Sequence, residues 1–583
     1  MPRLSPVSGA PRAVYFGGTS LRRLLLPVLA VLVTGLLAAP VFADEPTPPT
    51  NPPAPAIDNG DTAWMLACTA LVMLMTPGLA LFYGGIVRRK NLLGTMMHSM
   101  VALGIVGVQW VLFGYMLAFG KSQSGLIGWD TSLIGLNGVL SDKPFPGTHI
   151  PMFVHCMYQG MFAIITPALI SGALAERIRF GPYCLFIFLW STLVYCPLAH
   201  WVWAVDAEGH PAGWLAKLGA LDFAGGTVVH IAAGLSGLAA MLVLRKRIGY
   251  PEHAMHPNSM VLTLFGAGLL WFGWFGFNGG SGLGSGSLAG SALTATQVAA
   301  ATAALVWMLI EWAHRGKPTA LGVATGLVAG LVAITPASGF VKPVGAIVIG
   351  IAVSAICYTI VTLKPRFKYD DSLDAFGVHG VGGFIGAVLT GVLCSAELYQ
   401  HSGGDISTWA LSLPGGNRLS QIGVQFTAAC AAIALAFVGS AILVKAIDLL
   451  GGFCLRPEDE NEGLDAAVHG EVAFDFGLGG ELFVDGVSAE PKAASVPPVV
   501  ANRFTVVLDG SSKGELMTVW SKLCQAGEAP PAPEFTKVYE HVTTVQGNRF
   551  RFSGGNPSEV SQSLARLFEN QLPGRKLTTR VES

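Results

Sequence analysis

Two histidines stand in the middle of small, apolar runs: His230 in GGTVVHIAAGLSG (225–237) and His379 in DAFGVHGVGGFIG (374–386). A neutral imidazole donates through one ring nitrogen and accepts through the other, and its charge changes near neutral pH. Such a group inside a membrane span is costly, so it usually faces a bundle interior or a cavity and marks a solute or proton path. One histidine alone is as readily a hydrogen-bonding residue between helices. Two in matching contexts are harder to explain that way, because aspartate, phenylalanine and glycine precede each (Asp222, Phe223 and Gly225; Asp374, Phe376 and Gly377). Facing one another, neutral rings would share a proton and hydrogen-bond a small polar solute, while apolar walls exclude hydrated ions. Two facing histidines can also bind a metal or haem, which is the alternative chemistry.

The elements that must position them are transmembrane. The 583 residues are 52% hydrophobic and 12% charged, with a mean hydropathy of +0.55, which excludes an ordinary soluble globular protein. Apolar runs long enough to cross a bilayer recur at 62–87, 97–119, 151–174, 180–200, 227–244, 259–278, 290–312, 319–336, 342–363, 376–395 and 420–449, about eleven spans. The basic clusters at 88–90, 177–179, 245–247, 315–317 and 364–368 each follow an odd-numbered span, while the alternate loops carry isolated lysines or arginines. The positive-inside rule then puts the mature N-terminus outside and the C-terminus in the cytoplasm. His230 and His379 fall on spans five and ten, five spans apart, so their helices run in opposite directions. That is the signature of a 5+5 inverted repeat, whose functional groups lie near the midplane where the halves meet.

Residues 1–43 read as a signal peptide: Arg22 and Arg23, then a long apolar core, then Val41-Phe42-Ala43 as the cleavage site. Residues 44–61 form a Pro-rich linker outside the cell. The nine cysteines are scattered singly and read as core-filling residues. Glu176, Arg177 and Arg179 in GALAERIRF read as a structural ion-pair cluster, and Asp370, Asp371 and Asp374 as capping or loop-fixing groups before span ten. The glycine-rich NGGSGLGSGSLAGS (278–291) lacks the strand and lysine of a phosphate loop.

ALDFAGGTVVHI (220–231), GALAERIRF (172–180), WFGFNGGS (274–281), RGKP (315–318), GLVAITPASG (330–339) and FGVHGVGG (376–383), in this order, closely resemble the Amt/Mep/Rh family of ammonium transporters, on the Amt side, from about residue 60 to 475. The resemblance implies an all-α polytopic membrane protein of eleven spans, assembled as a homotrimer in the plasma membrane, with a pore in each protomer and no cofactor or nucleic-acid partner. It identifies His230 and His379 with the family's twin histidines. Phe162 and Phe277 match its two stacked aromatics, with Tyr158 at a neighbouring aromatic position. Trp203, Phe162 and Ser281 match its external recruitment site, and Asp222 the acidic residue nearby. Aromatic faces attract a partly dehydrated cation by about 0.5–2 kcal/mol, and a serine hydroxyl can accept one N–H. Asp222 is equally well placed to cap the start of span five. A bare cation beyond that point meets a steep desolvation cost, so proton and ammonia must part; family precedent favours net charge transfer. The transport domain is then 62–450.

Residues 451–501 form a cytoplasmic tail and linker, in which EGLDAAVHGEVAFD (462–475) resembles the family segment that packs under neighbouring pores and communicates with PII-type signalling proteins. Val468 stands where an acidic residue is common. Residues 502–583 alternate strand and helix patterns in the order β-α-β-β-α-β, a small ferredoxin-like α+β domain. It suggests regulation of the pore, with assembly as the plainer role. An ammonium sensor signalling through this domain is the second functional reading.

Overall fold

The computed structural model describes residues 57–139, 142–253, 255–401, 418–474, 503–525, 538, 542–546, 548–553, 556–572 and 576–582. The signal peptide, most of the N-terminal linker and the 475–502 linker lie outside the described residues. The chain divides into two units, 1–483 and 484–583.

Among the described residues of the first unit, ten helices are long and apolar enough to cross a membrane: α1 (Asn59–Ile86), α2 (Arg89–Phe119), α3 (Met152–Leu174), α4 (Phe180–Trp203), α5 (Gly226–Val243), α6 (Met260–Gly282), α7 (Ser287–Arg315), α9 (Pro343–Phe367), α10 (Phe376–Leu393) and α11 (Arg418–Gly451). Between α7 and α9 lies α8 (Ala320–Ile334), with 15 residues. It fills the place of the eighth span but is shorter than the 319–336 read from hydropathy. At 1.5 Å per residue it extends about 22 Å, and it gives way to a turn just before Pro336, which has no N–H to continue the helical hydrogen-bond ladder. Thr335 anchors that end, accepting a hydrogen bond from Trp274 Nε1 at 2.9 Å.

Small residues allow the halves to interlock. A Cβ placed on Gly234 of α5 would lie 2.1 Å from the Gly380 nitrogen, and one on Gly383 of α10 would lie 3.0 Å from His230 Cβ. Each of these glycines is four residues beyond its own histidine and packs on the other's histidine turn. The early part of each helix therefore meets the later part of the other, as in an antiparallel crossing related by a pseudo-two-fold axis.

The second unit carries β1 (Arg503–Asp509), α12 (Lys513–Gln525), β2 (Val542–Gln546), β3 (Arg549–Ser553), α13 (Pro557–Gln571) and β4 (Thr578–Glu582). The sheet order is β2-β3-β1-β4, and every neighbouring pair is antiparallel, which is the ferredoxin-like arrangement. Val506, Leu508, Phe550 and Phe552 form a core with Leu564 and Phe568 of α13. β2 starts later than the strand pattern at FTKVYEHVTT, much of which falls outside the described residues.

Candidate functional site

Both histidines occupy single π-helical turns at the very start of their helices, Gly226–Ile231 and Phe376–Gly380. Such wide turns recur at functional positions in helices. Each turn is held by a carboxylate eight residues before its histidine. Asp222 accepts from the N–H groups of Gly225, Thr227 and Val228 at 2.9–3.0 Å. Asp371 accepts from Ala375 and Phe376 at 2.9–3.0 Å, with Gly377 at 3.4 Å. The carboxylates satisfy orphan donors at the helix starts and complement their dipoles. Asp371, not Asp374, is thus the partner of Asp222 in the repeat. Asp374 instead forms an ion pair with Lys364 at 2.5 Å.

The two turns bring His230 Nδ1 and His379 Nδ1 to 3.3 Å, with both rings buried. One nitrogen must donate and the other accept, so the pair shares a proton without carrying charge. The Nε2 atom of His230 has no hydrogen-bond partner among the described residues. Trp274 stacks against His230, its centroid 5.4 Å away. Apolar residues including Leu79, Ile165, Val229 and Val328 complete the surroundings, leaving a void of about 10 Å³ that both histidines line. A void of about 30 Å³ follows beyond His379, bordered by Tyr83, Thr325 and Asp374.

On the other side of His230, Phe162 of α3 and Phe277 of α6 stack at 4.2 Å between centroids and 29° between planes. Above this stack opens a vestibule of about 200 Å³, lined by Phe162, Trp203 and Ser281 together with His155, Gln159, Phe145 and Phe223. Trp203 meets Phe162 edge to face at 6.0 Å, and its Nε1 donates to the Asp222 carbonyl at 2.8 Å. Ser281 Oγ donates to the Phe277 carbonyl at 2.8 Å, leaving its lone pairs for a cation. Tyr158 is fully buried. Its hydroxyl sits on the Gly276 and Phe277 carbonyls at 2.8–2.9 Å and 3.2 Å from Ser281 Oγ, so it braces the site from behind and is not among the vestibule-lining residues. The Asp222 carboxylate likewise turns to its helix. Burial pushes this carboxyl up to about 6, against the pull of its N–H donors.

Trp274 and Gln159 complete the site without having been singled out in the sequence, whereas Asp371 is the capping group that the sequence indicates before span ten. Counting back eight residues from each histidine pairs Asp371 with Asp222. Trp274 stood inside the quoted WFGFN stretch, but an aromatic there reads as core. Gln159 gave no signal beyond its place on the helix of Phe162.

The basic ends of the spans carry a second buried polar group. Glu176 accepts from Arg88 Nε at 3.0 Å, Asn91 Nδ2 at 2.9 Å and Arg247 Nη1 at 2.8 Å. Asp370 accepts from Arg247 Nη2 at 2.7 Å and pairs with Arg177. The ion-pair cluster read around Glu176 is present with Arg88, Arg247 and Asp370 added. Arg179 is outside it and donates to the Gly451 carbonyl at 2.5 Å. Asp370 belongs to the network and not to a cap. Burial works to raise the Glu176 carboxyl, but the arginines Arg247 and Arg88 outweigh it and hold it below the ordinary range. The tail docks on the same ends: Leu464 N donates to Asn91 Oδ1 at 2.9 Å, Gly94 N donates to Asp465 Oδ1 at 2.8 Å, and Arg245 pairs with Glu460 at 2.6 Å.

Helices long enough to span a membrane, two of them crossing as an inverted pair at two histidines behind an aromatic stack, define a multi-pass membrane protein. Residues 63–474 match the model of the Ammonium Transporter Family. The chain is 44% identical over 418 residues to Ammonium transporter Amt1 of Archaeoglobus fulgidus, covering 72% of this chain and all of that protein. It is 44% identical over 416 residues to the ammonium transporter of Bacillus subtilis, covering 71% and 98%. Among solved structures, Mep2 of Candida albicans matches with a TM-score of 0.63 and 36% identity, over 69% of this chain and 87% of that one. A protein described as Sensor Amt Protein matches at 0.63 and 29%, over 70% and 98%. The chain belongs to the ammonium transporter family, and it is an ammonium transporter. The α+β domain lies beyond the family match.

Proposed function

We propose that the vestibule faces the outside of the plasma membrane and recruits ammonium by the faces of Trp203 and Phe162 and the Ser281 hydroxyl. The cation sheds its proton before the Phe162–Phe277 stack, and ammonia passes to the histidine pair. There the unpartnered His230 Nε2 and the shared Nδ1 proton offer it one hydrogen bond after another. The proton travels separately along the imidazoles, so net charge moves inward. Potassium has no proton to shed and stops at the stack. The succession of vestibule, aromatic stack and histidine-lined void carries this reading, because a void of about 10 Å³ is room for about one water-sized molecule and not for a hydrated ion. The family resemblance supports a homotrimer and a PII-type partner at the tail.

A second reading, an ammonium sensor that passes occupancy to the α+β domain, is favoured by that domain's position beyond the family match. An ammonium jump on proteoliposomes separates the two. A saturable current, absent with potassium, supports the transporter; neither current nor internal pH change from folded trimers supports the sensor.

A further inference from the structure

The vestibule of about 200 Å³ is several times the roughly 30 Å³ that one water occupies in the liquid, so it holds more than the cation at the aromatic site. Its wall along α3 is built by His155, Gln159 and Phe162, spaced i, i+4 and i+7 and so on one face of the helix. His155 is fixed by Phe145 stacked flat on it at 3.5 Å and by the Tyr115 hydroxyl 3.1 Å from its Nδ1. Gln159 sits between this clamped ring and the aromatic pair. It is nine-tenths buried, and its Oε1 has no hydrogen-bond partner among the described residues.

A buried amide oxygen without a donor costs about 1–3 kcal/mol, which a binding site recovers when the ligand supplies the donor. Ammonium brings four N–H donors. The aromatic faces engage its charge but accept no conventional N–H···O bond, and Ser281 accepts one. We propose that Gln159 is a specificity-determining acceptor for ammonium, forming with His155 an outer, polar subsite that the cation occupies before the aromatic one. The subsite rests on the transport reading above. It takes small protonated amines and favours those with more N–H groups. A dehydrated potassium ion finds a single amide oxygen there, far fewer ligands than its lost water.

The test uses the full-length protein in proteoliposomes, with ammonium, methylammonium and potassium as the probes. Gln159→Leu is expected to raise the apparent KM for ammonium about tenfold or more while leaving the maximal current within about twofold, since a hydrogen bond to a charged group is removed from binding. Gln159→Glu keeps an acceptor and is expected to return KM to within about threefold of wild type. Methylammonium, with one N–H fewer, should shift less than ammonium in the Leu variant. A wild-type KM in the Leu variant overturns the assignment, as does equal loss of maximal current in the Leu and Glu variants with KM unchanged, which is the mark of a packing role. Should the Leu variant fail to reconstitute, Gln159→Met is judged by the same criterion. Absence of ammonium current in the wild type overturns the transport reading instead, so the two failures are distinct.

Discussion

The protein buries two polar constellations in its transport unit, and they are built on opposite principles. The histidine pair has one mutual contact, at 3.3 Å, and leaves the His230 Nε2 atom unpartnered. The network at the basic ends leaves no carboxylate oxygen idle: Glu176 and Asp370 accept through both oxygens from Arg88, Asn91, Arg177 and Arg247. A carboxylate bonded through both oxygens fixes the loops between spans and offers little to a ligand. An under-satisfied imidazole in a dry void stabilises little and is free to bind what passes. The contrast lies in the acceptors, since Arg88 Nη2 and Arg177 Nε of the network also lack partners among the described residues.

Breaking the network should have the larger effect on folding. Asp370→Ala leaves Arg177, which is fully buried, without its counter-charge, a loss of about 3–5 kcal/mol. We expect a fall of roughly 10 °C in apparent melting temperature measured on the purified protein. His379→Ala should move melting by much less while changing transport strongly, and equal destabilisation by the two would dissolve the distinction.

The pH dependence of stability sharpens it further. Glu176 is held below the ordinary carboxylate range, with burial opposed and outweighed by Arg247 and Arg88. Its contribution is present above the unfolded value of about 4.3 and is lost as pH falls through the folded one. Asp222 is raised to about 6 by burial, so its contribution is present below its unfolded value near 3.9 and is lost as pH rises through about 6. Melting curves followed from pH 7 to well below the ordinary carboxylate range should therefore change slope in opposite senses, for Asp222→Asn as pH rises through about 6 and for Glu176→Gln as pH falls below about 4.3. Slopes that change in the same sense would contradict the assignment.

Trp274→Leu removes the ring stacked on His230 and the bond to Thr335; a several-fold loss of ammonium flux with little change in KM is expected in liposome assays, because the ring shapes the void and not the vestibule. The smallest effect is expected for Asp465→Ala in the tail, which removes the single acceptor of Gly94 N at a cost of about 1 kcal/mol, with wild-type current in the same assay. A large loss of current there would make the tail part of the pore's machinery.

Much of this was legible in the sequence because it is local. The histidine stretches, the spans and the β-α-β-β-α-β order each lie within short windows whose periodicity or residue types identify them. What the sequence concealed was register and long-range pairing. Asp374, Phe376 and Gly377 imitate the earlier Asp-Phe-Gly run, yet the helix start selects Asp371, because the cap must stand eight residues before the histidine in both halves. Arg88 and Arg247 read as topology markers, and only the fold shows that they converge on Glu176 from loops far apart in the chain. Tyr158 was legible as an aromatic beside the gate, but no pattern indicates that its hydroxyl points away from the vestibule onto the Phe277 carbonyl.

The central claim is that the histidine pair, and not the aromatic vestibule alone, sets selectivity. The most direct measurement is the ratio of ammonium to potassium current in proteoliposomes for wild type and His230→Ala/His379→Ala at matched protein density. The account predicts that the double variant forfeits selectivity, either by conducting potassium or by losing the ammonium current while the protein stays folded. An unchanged ratio with an unchanged ammonium current would contradict it.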